Sequence, residues 1–484
     1  MVQSDQSPQR PFRVVIVGAG LVGLSLSHAL QLANIDHIVL EKHKEIVSLH
    51  GAALVLYPGV ARVFDQFGIL KGVQDSATPM QKESLRWPDG RVLAHPKRLS
   101  ALSEAFDSPP IFFERQKCVT VLYNGLPDRS KVRTCARVER FEHTEFSVKV
   151  FLADGTYEEG DIVIGADGVH SLTRQLMWDY AAKNEPDAVP KSDKTAIFSQ
   201  YKGVFGVTDQ GDLPDLGDAD THVVLGDGST KLLFTQPGIA YWGITFKDEY
   251  SCPPKPYKPS LDEQEQVGER FKDVKMTENL TFGDLWKNKS RSAVLNIEEG
   301  ILDKWHAGRI VLVGDSAHKM TADLGMGANM AIESAITLCN LLYRMTSCSK
   351  DADFHPAPAQ LSTLFSTYQA TRHKRAKAFV DLSGRMTRMR SYAGFWSYFF
   401  LTRIATLPWI MTYQTNKLVD AWREAPKLEY VGTRTINEGA EGWKRRDEKA
   451  NRVNVWMVYL VVMSVVGVGM WYAVRPHSGV RVHV

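Results

Sequence analysis

Cysteine is scarce in this sequence, and the cysteines present are far apart. The 484 residues contain five of them, an odd number, and no two stand in a C-x-x-C arrangement. A disulfide framework normally uses an even set of cysteines, and a structural zinc site needs closely spaced Cys and His ligands. We therefore expect free thiols in a reducing compartment, and no metal site.

An excess of either charge is also lacking. The 58 Lys and Arg residues nearly balance the 55 Asp and Glu residues, which leaves a formal net charge of +3. Nucleic-acid-binding domains are usually basic and carry recognisable reading motifs, and this sequence has neither. We expect no nucleic acid partner. A G-x-S-x-G nucleophile elbow and a paired-carboxylate signature are missing too, so no protein nucleophile is evident.

The two ends of the chain differ in polarity. The N-terminal MVQSDQSPQRPFR lacks the apolar core of a signal peptide, so we expect the bulk of the chain to stay in the cytosol. Residues 455–474 contain no charged residue over the roughly 20 positions that a helix needs to cross a bilayer. Trp456, Trp471 and Tyr472 lie near its ends, and basic residues are concentrated before it. We predict a single-pass C-terminal membrane anchor at the endoplasmic reticulum, with the catalytic body cytosolic; a buried core helix is the alternative.

A second apolar and aromatic stretch, AGFWSYFFL, occupies residues 393–401. Arg403 and Pro408 interrupt the sequence soon after it, so it is too short to span a bilayer. We expect it either to rest on a membrane surface or to line an apolar channel.

The start of the chain has the pattern of a βαβ unit. Residues 12–17 (FRVVIV) form an apolar, β-branched run that predicts a buried strand. A glycine turn and a helical segment follow, and HIVLEKH supplies a second strand that ends at Glu41. This alternation predicts an α/β fold.

Three glycines with the spacing G-x-G-x-x-G stand between the first strand and the helix. Gly18 allows a tight turn, Gly20 lets a pyrophosphate approach the backbone, and Gly23 lets the helix and strand pack closely. The helix N-terminus favours the phosphate charge, and Glu41 is placed to accept hydrogen bonds from a ribose. The motif predicts a bound dinucleotide without choosing between FAD and NAD.

A second turn motif lies in the segment from Asp161 to Arg174. It places a sharp turn at Asp167-Gly168 between an apolar strand and a helix. In isolation this pattern is equally compatible with an ordinary helix start capped by Ser171.

A third turn motif begins where an apolar strand ends in Gly314-Asp315. Asp315 could bind the hydroxyls of a flavin's ribityl chain, and the amides of residues 325–329 could face the negatively polarised edge of the flavin ring. His318 is a candidate base, but we favour a structural role for it.

Taken together and in this order, the three motifs resemble the group A flavoprotein monooxygenases, the para-hydroxybenzoate hydroxylase-like family. The resemblance covers about residues 12–345 and includes the DGxxSxxR motif from Asp167 to Arg174. Within that family the chain is most similar to the fungal FAD-dependent epoxidases of meroterpenoid and indole-diterpene pathways, the paxilline type. The segments that carry this similarity are VLEKHKEI, HGAALVLYPGVARVFDQFGIL, FFERQ and GDSAHKM.

The pattern of predicted strands and helices along the chain, together with the resemblance, gives a domain plan for the α/β fold. A Rossmann-like FAD-binding domain would comprise residues 12–190 and 296–346, interleaved with a smaller substrate-binding β-sheet domain at 196–295. A helical C-terminal region would follow at 347–440, and the transmembrane helix at 455–474.

The resemblance also implies which residues hold FAD. Glu41 corresponds to the acid on the adenosine ribose, Arg115 to an arginine that contacts FAD, and Asp315 to the ribityl-binding aspartate. The expected cofactor-binding residues are Gly18, Gly20, Gly23, Glu41, Val55, Arg115, Asp167, Arg174, Asp315, Gly325 and Ala328.

The sequence departs from the family pattern at three positions close to the flavin. Val55 stands where glycine is usual, Ala322 where proline is frequent, and Met326 where the family often has the glutamine of G-Q-G. We expect the changes at Ala322 and Met326 to alter the stiffness of the loops or the position of the flavin.

The resemblance implies a monooxygenase that uses FAD, NADPH and O2. One oxygen atom would be transferred to an alkene of a prenyl or polyprenyl chain, giving an epoxide on an apolar, prenylated small molecule of secondary metabolism. Such substrates partition into membranes, which would explain an anchored enzyme. The sequence does not choose between NADPH and NADH, or name the substrate.

Three other functions stay open. A phenol hydroxylase on the same scaffold would need a base or a hydrogen-bonding partner, for which Tyr201, Lys202 and His222 are candidates. An FAD-linked dehydrogenase would reduce an artificial acceptor without incorporating oxygen. A non-catalytic flavin-binding membrane protein would not oxidise NADPH in response to substrate.

Overall fold

The computed structural model describes residues 10–47, 53–209, 211, 213, 216–349, 354–392 and 394–444. The strands, in chain order, are β1 (Arg13–Val17), β2 (Asp36–Leu40), β3 (Ala53–Leu56), β4 (Glu83–Arg86), β5 (Val92–Ala94), β6 (Ile111–Glu114), β7 (Val132–Arg133), β8 (Val138–His143), β9 (Val148–Leu152), β10 (Tyr157–Gly160), β11 (Ile162–Gly165), β12 (Ile197–Asp209), β13 (Thr221–Val224), β14 (Ser229–Gln236), β15 (Ile239–Ser251), β16 (Lys289–Ile301), β17 (His306–Ala307), β18 (Ile310–Leu312) and β19 (His318–Lys319).

The helices, in chain order, are α1 (Leu21–Leu32), α2 (Pro58–Phe67), α3 (Leu70–Gln74), α4 (Arg98–Phe106), α5 (Arg115–Asn124), α6 (Leu172–Asn184), α7 (Leu261–Phe271), α8 (Phe282–Lys287), α9 (Gly327–Cys348), α10 (Pro358–Arg390), α11 (Phe395–Phe399) and α12 (Pro408–Arg423). A short π-helix, Phe400–Ile404, continues α11. The described residues up to Gly442 form one compact unit.

The nucleotide-binding half is built on a six-stranded sheet in the order β17-β18-β11-β1-β2-β7. Its central pairs, β1 with β2, β1 with β11 and β11 with β18, are parallel. The predicted α/β fold is present here, because the apolar runs of β1 and β11 are buried on both faces, as parallel strands covered by helices must be. The carboxyl ends of these strands bring the three turn motifs to one edge of the sheet.

The second layer is an eight-stranded sheet in the order β19-β16-β12-β15-β14-β13-β4-β5. Successive side chains of a strand point to opposite faces. Leu233 and Trp242 therefore pack against α7 and α8 in one buried core, whereas Leu232, Phe234 and Tyr241 line a cavity on the other face.

This eight-stranded sheet, which we call the substrate sheet, extends beyond residues 196–295, the range predicted for the substrate-binding β-sheet domain. Strand β16 runs on to Ile301, and β4 and β5 come from residues 83–94, inside the first part of the FAD-binding domain. Strand β4 pairs with β13 through the register Thr221 to Glu83. Strands of four and three residues carry too little periodicity to be assigned to a sheet from sequence.

No helix in the part of the chain that the structure describes is long and apolar enough to cross a membrane. The stretch at 455–474, where we predicted a transmembrane helix, lies outside the described residues. The prediction of a fold with a C-terminal transmembrane helix, and of a single-pass anchor in the endoplasmic reticulum membrane, is corrected accordingly. An uncharged run of about 20 residues satisfies the length of a span but does not by itself specify one.

Candidate active site

The first glycine turn has the geometry that its spacing predicts. Gly18 follows β1 with φ +104°, a conformation that L side chains rarely adopt, and its amide donates to the Leu40 carbonyl at 2.8 Å. A Cβ added to Gly23 would lie 1.8 Å from the Gly18 carbonyl oxygen. The start of α1 therefore lies directly on the turn, with its N-terminus open to a phosphate.

Glu41 and Arg115 flank this turn. The two Glu41 carboxylate oxygens accept from the backbone amides of Ala19 and His43, each at 2.9 Å, so the carboxylate is fixed at the end of β2. The Arg115 guanidinium lies 3.6 Å from the position of a Cβ on Gly20. An acid suited to a ribose and a cation suited to a pyrophosphate thus meet at the glycine turn.

The DG turn is closed by its own side chains. Asp167 accepts from the Ser171 hydroxyl at 2.5 Å and from the Thr173 amide at 2.9 Å. Arg174 donates from its guanidinium to the Ser316 carbonyl at 3.1 Å. Arg174 therefore connects the DG turn to the GD turn, which places Asp167 and Arg174 as supports of the cofactor region.

Asp315 forms an ion pair with Lys319, whose Nζ lies 2.5 Å from the carboxylate. Burial alone would lower the pKa of Lys319, but Asp315 and Glu298 together raise it. Burial raises the pKa of Glu298. Sequence reasoning missed Lys319, although its position four residues after Asp315 was a usable signal.

Val55 and the Gly325 turn lie against each other. Gly325 has φ +62°, and a Cβ there would meet the Val55 side chain at 3.0 Å. Asn329 donates to the Val55 carbonyl at 2.7 Å and accepts from the Tyr57 amide at 3.1 Å. The Tyr57 hydroxyl donates to the Leu324 carbonyl at 3.1 Å. These hydrogen bonds hold β3 against the turn expected beside the flavin ring, through the side chains of Tyr57 and Asn329, for which the sequence predicted no such role.

Ala328 is the second residue of α9, which begins at Gly327 and is 22 residues long. The first amides of a helix have no partner within the helix. They can therefore face the electron-rich edge of a flavin ring, as expected for this position.

His318 is structural in this molecule. It is 1 % exposed, its Nε2 lies 3.0 Å from the Ser334 hydroxyl, and its ring lies 5.3 Å from that of Trp305. Burial lowers the pKa of His318 to about 3. The geometry agrees with the structural role favoured from sequence.

A cavity of about 2040 Å³ lies between the free face of the eight-stranded sheet and the loops at Val55 and Gly325. Its wall is largely apolar and aromatic. It includes Leu85, Leu99, Leu102, Phe112, Phe205, Val223, Leu225, Leu232, Phe234, Tyr241, Met386 and Met389. Phe112 stacks on Phe234 with ring centroids 4.1 Å apart, which gives the wall a rigid aromatic element.

One polar group in this wall is a pair between Tyr241 and Glu114. The Tyr241 hydroxyl donates to the Glu114 carboxylate at 2.9 Å, and Arg291 forms an ion pair with the same carboxylate. Burial and the neighbouring Glu114 raise the pKa of Tyr241. A second polar group contains Glu83, Arg98 and Arg390.

The candidate bases proposed from sequence lie away from this wall. Tyr201 is 2 % exposed within β12, and neither it nor Lys202 lines the cavity; Lys202 pairs with Asp248 at 2.9 Å. Their catalytic role stays a prediction that the geometry does not support.

His222 alternates along β13 with Thr221 and Val223, which line the cavity, so its side chain points to the opposite face. There the Arg86 guanidinium donates to its Nδ1 at 3.3 Å, and burial lowers the pKa of His222 to about 4. The sequence alone does not show which alternate residues of a strand face the cavity, and this is why His222 was proposed as a base although it points away from the cavity.

The aromatic stretch at 393–401 is divided between two environments. Phe395 and Trp396 are 70 % and 59 % exposed, whereas Phe400 and Leu401 line the cavity. The expected channel-lining role therefore applies to the second half of the stretch.

Comparison with known proteins agrees with this geometry. The family described as FAD binding domain matches residues 12–184 and 263–383. The FAD-dependent monooxygenase andE of Emericella variicolor is 35% identical over 386 residues, which cover 79% of this chain and 81% of the relative. The FAD-dependent monooxygenase paxM of Penicillium paxilli is 34% identical over 384 residues, covering 78% and 79%.

The fold and the turns at its sheet edge define a flavoprotein, and the chain belongs to the FAD-binding-domain family. Within that family it is an FAD-dependent monooxygenase in kind, related to the fungal enzymes of meroterpenoid and indole-diterpene pathways, as its motifs indicated.

Solved structures share the fold at lower identity. Klebsiella pneumoniae HpxO, complexed with FAD and uric acid, superposes with a TM-score of 0.65 at 19% identity, over 87% of this chain and 100% of that one. CtdE, in complex with FAD and substrate, gives 0.63 at 18% identity, over 85% and 99%.

Proposed function

We propose that this protein uses NAD(P)H and O2 to add one oxygen atom to an alkene in the prenyl or polyprenyl chain of a terpenoid intermediate, giving an epoxide. The observation that carries the proposal is the cavity of about 2040 Å³, whose apolar wall borders the turns that would hold the flavin ring. A prenyl chain gains about 0.8 kcal/mol per buried CH2 in such a cavity.

FAD would be held by the glycine turn, Glu41, Arg115, Asp315 and the start of α9, and when bound it would supply the redox chemistry that activates O2. The protein's own contribution is positional. Phe112, Phe234 and the neighbouring apolar side chains hold the alkene beside the ring position and exclude water from it. Oxygen transfer to an alkene removes no proton from the substrate, so the reaction is compatible with a wall that is largely apolar and aromatic.

A phenol hydroxylase is the second candidate, and one observation favours it. The Tyr241 hydroxyl donates to Glu114 in the cavity wall, so its oxygen is free to accept a hydrogen bond from a substrate phenol. Such a contact would help to remove the phenol proton.

The position of the transferred oxygen distinguishes the two reactions. The full-length chain, loaded with FAD, would be given NADPH, isotope-labelled O2 and a panel of prenylated aromatic and polyprenyl compounds, with products read by mass spectrometry. A label on the prenyl chain supports the epoxidase, and a label on the ring supports the hydroxylase. NADPH oxidation that no compound stimulates, with no labelled product, would contradict both.

A further inference from the structure

Two arginines from distant elements line the cavity close enough for their charges to interact: burial and the charge of Arg98 both lower the pKa of Arg390. Arg98 begins α4 and Arg390 ends α10, and both line the cavity together with Glu83 and Tyr57. Arg390 is only 4 % exposed, so its guanidinium is a cation held in a largely apolar chamber.

Only some of the N–H donors of these two guanidinium groups make hydrogen bonds within the protein. Arg98 donates from Nε and Nη2 to the Glu83 carboxylate, the first at 3.0 Å. Arg390 donates from Nη1 to the main-chain carbonyl of Asp323 at 2.7 Å. Within the described residues, Nη1 of Arg98 and Nε and Nη2 of Arg390 have no hydrogen-bond acceptor, and each of them keeps some accessible surface.

The two arginines also differ in their ion pairs. Glu83 neutralises Arg98, but no carboxylate of the described part of the chain forms an ion pair with Arg390. Burial raises the pKa of Asp323, and its carboxyl interacts with the Thr387 hydroxyl and forms no ion pair with Arg390. A buried cation of this kind is costly unless an anion or a set of acceptors meets it.

We propose that Arg98 and Arg390 together bind the anionic oxygen of an acidic head group on the substrate, a carboxylate or an acidic enolate. Guanidinium groups offer paired donors in a plane, which suits such oxygens better than a neutral ring nitrogen. This proposal rests on the proposed function, in which the remaining wall of the cavity, including Leu99, Leu102 and Phe112, would hold the prenyl chain.

The subsite makes the cavity selective. A substrate with a neutral head, such as a prenylated indole or a methyl ester, would leave the Arg390 donors unpaired in a desolvated site. We therefore expect the protein to prefer acids over otherwise identical neutral compounds.

The test measures binding without turnover, so that its outcome is independent of the epoxidation proposal. Two matched pairs would be titrated into the FAD-loaded full-length protein without NADPH, following the flavin absorption spectrum. One pair is a farnesylated 4-hydroxy-2-pyrone and its O-methyl ether; the other is a farnesylated hydroxybenzoic acid and its methyl ester. We expect about tenfold or more tighter binding of each acid. A preference in one pair alone would identify that head group as the ligand.

Variants then assign the preference to the arginines. Arg390→Met should remove it by weakening the acid and leaving the neutral partner unchanged. The double change Glu83→Gln with Arg98→Met avoids a stranded buried carboxylate and should reduce the preference. Arg385→Met, which removes an arginine on the same helix that also lines the cavity, is the matched control and should keep it.

The proposal fails if the wild-type protein binds the neutral compounds as tightly as the acids, a result that needs no variant. It also fails if Arg390→Met retains the preference for acids. If this variant binds acid and neutral ligands equally weakly, or has a lower flavin content, Arg390 serves the fold or the cofactor and the proposal fails too. If the same acid is oxygenated on its ring in the separate turnover assay with NADPH and labelled O2, the epoxidase function is rejected and the subsite still stands.

Discussion

The turns that hold the cofactor and the cavity beside them are built in different ways. At the cofactor turns, backbone conformation and close backbone contact decide the geometry, as at Gly18 and Gly23. At the cavity, side chains from strands and helices far apart in the chain decide it, as at Phe112 and Phe234. The first region tolerates almost no change of residue, whereas the second can be altered one side chain at a time, which suits a fold whose members act on different substrates.

The largest effect is expected at the glycine turn. Gly23→Ala would place a Cβ 1.8 Å from the Gly18 carbonyl, so the turn or the helix must shift and the phosphate-binding geometry is lost. We expect the flavin content of the purified protein to fall by about tenfold or more. Gly432→Ala, where an added Cβ meets nothing within 4 Å, is the control. Full flavin content in the Gly23 variant would show that the glycine turn tolerates an added side chain, and would contradict the difference drawn between the cofactor turns and the cavity.

A smaller loss is expected at Asp315. Asp315→Ala removes a charged acceptor from the expected ribityl position, at a cost of about 1.5–3 kcal/mol, or roughly ten- to hundredfold in FAD affinity. Titration of the FAD-depleted protein with FAD measures this. Lys319→Met removes only the ion-pair partner and should weaken FAD less; an equal or larger effect would show that Lys319 is the principal contact.

A change in the cavity should spare the cofactor. Phe234→Ala removes the ring that stacks on Phe112 and should raise KM for a prenylated substrate by about tenfold while the flavin content stays constant. Phe282→Ala, in the core on the opposite face of the same sheet, should lower the melting temperature without this rise in KM. Loss of flavin in the Phe234 variant would show that the two regions are not separable.

The effect expected to be smallest near neutral pH concerns acid stability. His318 stays neutral in the fold until about pH 3, whereas in the unfolded chain it binds a proton below about pH 6.5. Its contribution to stability is thus complete above pH 6.5 and declines as the pH falls towards 3, by up to about 1.4 kcal/mol per pH unit.

Urea unfolding at neutral and mildly acidic pH should therefore show a shallower pH dependence for His318→Gln than for the wild type. His43→Gln, at an exposed position, should leave the dependence unchanged. Identical slopes in the wild type and the His318 variant would reject the buried, neutral histidine.

Much of the cofactor region was predictable because its signals are local. Glycine spacing, the strand before each turn and the acid at the end of β2 all occur within short segments. The contact between Tyr57 and the Asn329 side chain was not predicted, because this hydrogen bond between β3 and α9 connects residues 272 positions apart. A polar residue at the start of a helix does not show which strand its side chain will bind through hydrogen bonds.

The substrate side was less predictable. The candidate bases Tyr201 and His222 were chosen by residue type, and the pleat of the sheet turns His222 away from the cavity. The short strands β4 and β5 belong to the eight-stranded sheet, although they lie outside the range 196–295 that the strand pattern predicted for it. For the predicted transmembrane helix, the finding is that no helix of the described residues is long and apolar enough to cross a membrane; residues 455–474 lie outside them.

The sequence by itself determined the α/β class, the order of the three cofactor turns and the residues within them. It could do so because a positive φ, a missing side chain and a strand-to-helix turn each restrict the residue type at a fixed spacing. Only the tertiary structure decided which face of the substrate sheet lines the cavity, and which charges meet there. Arg98 and Arg390 come together because α4 and α10 pack against the same chamber, and no periodicity or motif links positions so far apart.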